Sequence, residues 1–356
     1  MRRTRALTLP LAAALAAAVL ASCGSDDADA GGEAARPTVA VTTTVLGDVV
    51  AQLVGDLAEV VTIMPPGASP HDFQASAREA ADLAAADVIV VNGGGFEEGL
   101  LSVVAGAESD GVPVLSALEL LGGDDAAEDE DHGDEEDHGD EDHADEEDHG
   151  DEDHADEEDH GDEEDHGDEE DHGDEHAHDD DAHFFTDPLA VAEVVEALAA
   201  ALPEQLPGLD AEELAQQADD LVGDLEDLHE ELVETLAVVP DDRRVLVTDH
   251  EVFDSFAARY DFEILATVIP AGSTSDGVSG GALAELAQVL QRAGVTAVFT
   301  EQTASAALAE TLADEVGDVE VVTLNAETLG PDGSEAETYA GMMRSNAQRI
   351  ADALGG

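Results

Sequence analysis

The chain carries 14 histidines, and 10 of them lie in one acidic run. The other four are His71, His183, His229 and His250. His71 sits in "MPPGASPHDF", His183 in "DAHFFTDP" and His250 in "VLVTDHEVF". Imidazole titrates near neutrality and is the commonest side-chain metal ligand. Two carboxylates occupy comparable places, Glu301 at the end of "VFTE" and Glu327 two residues beyond "VVTLN". Three imidazoles and one carboxylate form a four-coordinate set suited to Zn²⁺. Taken singly, each histidine reads first as a packed or solvated residue. His229, in the middle of a long helical pattern, is read that way. A zinc hydrolase is the less favoured chemistry, because no H-E-x-x-H motif accompanies these histidines.

The elements that must position these residues alternate along the chain. Apolar, β-branched runs predict strands at 38–44, 60–65, 87–92 and 112–117. Helical spacing appears near 46–55 and at 75–86 and 96–107. The scheme repeats with strands at 244–249, 262–269, 296–301 and 319–325, and helices at 251–260, 282–293, 304–316 and 335–353. Strands alternating with helices imply right-handed βαβ units. The expected fold is α/β, with two lobes, each a roughly four-stranded parallel sheet flanked by helices, joined by a long helix. One helical stretch covers about 188–202 and is expected to stop at the prolines of "LPEQLPG". The joining helix, 210–237, would span about 40 Å at 1.5 Å per residue. In open parallel sheets ligands bind beyond the carboxyl ends of the strands. His71, His250, Glu301 and Glu327 all fall there, and His183 stands where the acidic run rejoins the fold.

The chain opens with "MRRTR" and a short apolar stretch ending "LASC". This pattern marks a signal peptide, and the Leu20–Cys23 segment resembles the lipobox of a bacterial lipoprotein. Cys23 is the only cysteine, so it forms no internal disulfide and is the expected lipidation site. The expected organisation is a signal peptide at 1–22, a flexible tether at 23–37 and an N-terminal lobe at 38–208. A bridging helix at 209–238 and a C-terminal lobe at 239–356 follow. The expected location is the extracytoplasmic face of a bacterial envelope.

Residues 124–181 contain 37 acids, 10 histidines and 11 Gly or Ala, and nothing else. With no apolar side chain larger than Ala this segment cannot build a core, so the loop at 122–182 is expected to be disordered. Its histidines, His132, His138, His143, His149, His154, His160, His166, His172, His176 and His178, are candidates for loose metal binding. The net charge is −77, and all 11 basic residues are arginine. That balance excludes nucleic acid and anionic membrane surfaces as partners, since both would repel the chain.

From about 38 to 353 the chain resembles the metal-binding subfamily of ABC-transporter substrate-binding proteins, which deliver zinc or manganese to a membrane permease. "PHDFQASAREAADLAAADVIVVNGGGFE" is similar to the family's first-ligand region. "DAHFFTDP" is similar to its "DPHxWxDP" signature, with Ala182 in place of Pro and Phe185 in place of Trp. "TDHEVFDSFAARYDFEI" is similar to the third-ligand segment, and "AETLGPDGSEAETYAGMMRSN" to the last. The resemblance implies ligands at His71, His183, His250 and Glu327, the last where Asp is usual, with Glu301 as the competitor. It implies a lipid-anchored, monomeric binding protein rather than an enzyme, with an ABC permease as partner. Three histidines favour Zn²⁺ over Mn²⁺, which prefers carboxylate-rich sites. A manganese importer component and a cell-surface zinc buffer are the alternatives. Imidazole must be neutral to bind metal, so affinity is expected to fall as pH drops through about 6.5.

Overall fold

A computed structural model describes residues 36–122, 181–269, 280–302, 307–317 and 319–356. The signal peptide, most of the tether, Cys23 and the ten histidines from His132 to His178 lie outside the described residues.

The first sheet holds β1 (Thr38–Val41), β2 (Glu59–Thr62), β3 (Val88–Val91) and β4 (Val114–Ser116), all parallel, in the order β2-β1-β3-β4. The second holds β5 (Val245–Thr248), β6 (Glu263–Thr267), β7 (Ala297–Glu301) and β8 (Glu320–Leu324), in the order β6-β5-β7-β8. The same winding thus occurs twice. Central strands of a parallel sheet are covered on both faces and need unbroken apolar runs. "VIVV" in β3 and "AVF" at the start of β7 meet that need.

Helices cover the sheets, and their starts are written in the sequence. Helix α1 (Thr44–Val54) is capped by Thr43, and α2 (Ala77–Ala85) by a reciprocal Ser76–Glu79 capping box. A 3-10 turn at Glu98–Leu100 leads into α3 (Leu101–Ser109). The short α4 (Ala117–Leu121) was not expected, although Ser116 with Glu119 three residues on is a capping signal. Helix α5 (Pro188–Gln205) has Asp187 as its cap and Pro188 in its first turn. It runs past Pro203, contrary to the expected stop. The missing amide of Pro203 costs one helical hydrogen bond, and the helix ends two residues beyond it.

Helix α6 (Ala211–Leu236) buries Leu214, Ala218, Leu221, Leu225, Leu228, Leu232 and Leu236. This three-and-four spacing makes one apolar face. That face is bedded against α1 and α5 from the first half and α10 (Tyr339–Leu354) from the second. A single apolar core therefore runs from Val39 to Leu354 through α6. Helix α7 is shorter than its pattern, Asp254–Arg259, because residues 249–253 form an irregular connection from β5. Helices α8 (Gly280–Ala293) and α9 (Ala307–Val316) complete the second half.

Candidate metal centre

Each candidate ligand leaves the fold at the carboxyl end of a strand or at the start of a helix. His71 is carried by the irregular connection between β2 and α2, and His250 lies two residues past β5. Glu327 lies three residues past β8, and His183 stands just before the turn that enters α5. The two sheets face each other with these ends together, so residues 256 positions apart in sequence come into contact.

Nε2 of His71 lies 2.8 Å from Oε1 of Glu327, and Nε2 of His250 lies 2.9 Å from the same oxygen. Nε2 of His183 is 3.5 Å away, at ion-pair range, but is buried without an aligned hydrogen-bond partner. The three imidazole centroids form a near-equilateral triangle with sides of 6.3, 6.1 and 6.2 Å. One ligand atom from each of the four residues lies within 4.8 Å of the others. A tetrahedral zinc with bonds of 2.0–2.2 Å would set its ligand atoms about 3.3–3.6 Å apart. Burial is graded: the side chains of Glu327 and His250 are 1% and 3% exposed, those of His183 and His71 13% and 15%.

The electrostatics follow from this packing. Burial alone would raise the carboxyl of Glu327, but the three imidazoles around it, His183 at ion-pair range and His250 and His71 at hydrogen-bond distance, outweigh it and hold the group well below its usual range. Burial opposes a charged His250, yet Asp249 and Glu327 on either side raise it to about 10. His183 is also raised, with Asp181 and Glu327 overcoming burial. An imidazolium at His250 can donate from Nδ1 to Asp249, 3.2 Å away, and from Nε2 to Glu327. A metal ion would take the place of the Nε2 proton while Nδ1 keeps its carboxylate. That is the usual arrangement of a metal-binding histidine oriented from behind.

Apart from Glu301, which the sequence marked as a competing ligand, the supporting groups are residues that sequence reasoning missed. Asp181 was counted with the acidic run, but it belongs to the folded site. Its Oδ1 accepts from the backbone amide of His183 at 2.8 Å, and its Oδ2 accepts from the amide and hydroxyl of Ser255 at 3.2 and 2.6 Å. The Ser255 contacts tie the His183 segment to α7. Asp249 Oδ2 accepts from the backbone amide of Glu301. Glu301 in turn turns Oε1 toward the backbone, accepting from the amides of Ala326 at 3.1 Å and Glu327 at 3.2 Å. It braces the connection that carries Glu327. Phe96 packs edge-on against His71 and His183. The one advance sign of Asp181 was its position two residues before a histidine outside the repeat. Phe96 gave no such sign. His229 is placed away from this cluster, stacked on Tyr260 with Nδ1 3.3 Å from its hydroxyl.

Several known proteins are similar to this chain. The manganese-binding lipoprotein MntA of Halalkalibacterium halodurans is 23% identical over 342 residues, 95% of each chain. The zinc-binding protein TroA of Treponema pallidum is 25% identical over 367 residues, 99% of each chain. The solved structure of the periplasmic zinc-binding protein TroA from that organism superposes with a TM-score of 0.67, covering 90% of this chain and 99% of that one at 23% identity. Such metal-binding components work with the permease and ATPase of an ABC importer. No helix among the described residues is long and apolar enough to cross a membrane. Residues 39–353 match the model of the family described as zinc-uptake complex component A, periplasmic (ZnuA), and the chain belongs to that family.

Proposed function

We propose that this chain captures Zn²⁺ outside the cytoplasm and hands it to an ABC-type importer, and that it is a carrier rather than an enzyme. His71, His183 and His250 bind through Nε2 and Glu327 through Oε1. The single observation that supports this most is three Nε2 atoms gathered around one buried carboxylate oxygen. One carboxylate among three imidazoles is a zinc-like donor set, whereas Mn²⁺ favours oxygen. The 38–208 and 239–356 segments act as the two lobes of a monomer, with 209–238 as the bridging helix. The acidic segment 124–181 gathers zinc loosely. Its carboxylates favour the protonated form of its imidazoles, and ordering a chain around a metal costs roughly 1–2 kcal/mol per residue fixed.

Titrating zinc into the mature protein, with and without 124–181, tests this. One tight ion is expected in both forms and several weak ones in the intact form alone. No tight ion in either form would end the proposal. The same titration run against pH has a definite sign. Zinc must displace the Nε2 proton of His250, a group raised to about 10. Affinity should therefore fall as pH is lowered across the whole range from about 10, beginning far above the 6.5 expected for free imidazole. Zinc binding at pH 8 should release protons. The metal-free fold has the opposite dependence. A histidine raised in the folded state contributes stability that is fully present below about 6.5 and is lost as pH rises toward 10.

Cys23 is proposed to carry lipid and to hold the mature protein at the membrane. Cys23→Ser should move the protein into the soluble fraction on cell fractionation, and retention with membranes would refute the anchor.

A further inference from the structure

The side of the site between His71 and His183 is formed by an aromatic ring. Phe96 is 2% exposed. Its centroid lies 5.4 Å from that of His71 at 73° and 5.3 Å from that of His183 at 86°. Phe185 backs it, 5.5 Å from Phe96 and 5.9 Å from His183. These rings offer no hydrogen-bonding atom, and a bound water needs two to four polar partners.

The ring is held firmly. It sits in the connection Asn92–Glu97, which turns through Gly93 at φ +92°, where an added Cβ would meet the hydroxyl of Ser116. The connection closes on its own buried carboxylate. Glu97 Oε1 accepts from the hydroxyl of Thr42 at 2.5 Å and the amide of Asn92 at 2.6 Å. Asn92 also donates to the carbonyl of Ala182, at 2.8 Å, the residue before His183. Ring and ligand are thus braced by one loop.

Zinc is satisfied by four ligands in a tetrahedron, whereas Mn²⁺ and Mg²⁺ favour six, usually completed by water. With four protein residues each giving one donor atom, a six-coordinate ion must find two more. We propose that Phe96 is a specificity-determining residue, whose ring closes the edge between His71 and His183 to water and so disfavours six-coordinate ions. This rests on the zinc reading above.

The test measures Zn²⁺ and Mn²⁺ affinities of the full chain for wild type, Phe96→Ala and Phe96→Leu. Phe96→Ala should narrow the preference for zinc roughly tenfold, on the scale of outer-sphere effects on metal sites, through tighter Mn²⁺ binding. Water-proton relaxation by Mn²⁺ should show more coordinated water in that variant. Phe96→Leu keeps an apolar wall and should keep the preference. An unchanged zinc-to-manganese ratio in Phe96→Ala, or an equal loss for both ions in both variants, overturns the inference. Wild-type protein with no tight zinc site would fail the functional proposal itself, and this one with it. Tight zinc with an unmoved ratio fails this one alone.

Discussion

His250→Ala is expected to lower zinc affinity by at least about a hundredfold, the upper end of what changes to outer-sphere partners alone cost. His250 is the most buried of the three imidazoles, and it is clamped from two sides. Asp249 Oδ1 faces its Nδ1, and Glu327 faces its Nε2 at 2.9 Å. Alanine removes a donor that the fold has already oriented. It also leaves Glu327 with two imidazole partners instead of three, so the carboxyl should move back up toward its usual range and bind protons in competition with metal. Competition against a zinc-binding dye at fixed pH measures the effect. Affinity within a few-fold of wild type would remove His250 from the ligand set. Circular dichroism should be unchanged, since the imidazole caps no helix and pairs no strand.

Asp187→Ala is expected to cost about 3 kcal/mol of folding stability, combining a lost helix cap with a broken, largely buried ion pair. Asp187 is fully buried. Its Oδ1 accepts from the amide of Leu189 at 2.9 Å and so starts α5. Its Oδ2 accepts from Nε of Arg259 at 2.7 Å, at the end of α7. The full penalty for a buried pair is trimmed because Arg259 is 30% exposed and can regain water. Thr186 reinforces the same joint, accepting from the amide of Phe256 at 3.2 Å. This joint, together with Asp181 on Ser255, holds His183 against the half of the molecule that carries His250. The variant should therefore lose zinc affinity as well as stability. Asp187→Asn keeps the cap and should lose about half as much. Urea unfolding of the metal-free protein reads both, and a loss below about 1 kcal/mol for Asp187→Ala would show that the joint is not structural.

The sequence by itself carried the α/β class and the doubled winding, and its resemblance to a known family pointed to the four residues that the structure gathers at one place. Strand periods, helix caps and helical spacing are local signals, because they record which face of an element is buried. The rule that ligands gather at the carboxyl ends of parallel strands points to His71 and His250, and the resemblance of "DAHFFTDP" to the family signature adds His183. Beyond this the local signals ran out. Glu301 and Glu327 both stand at the ends of strands, and nothing in their neighbours separates them. Only the path of the backbone after β8 turns Glu327 inward and sets Oε1 of Glu301 beneath its amide. Asp181 reads as one more acid of a repeat until Ser255, 74 residues away, is brought beside it. Phe96 reads as an ordinary core aromatic until His71 and His183 close on either side of it. In each case a group's role is set by partners far away in the chain. Side-chain periodicity records that a position is buried, whereas the identity of its neighbours is decided only when the two sheets meet.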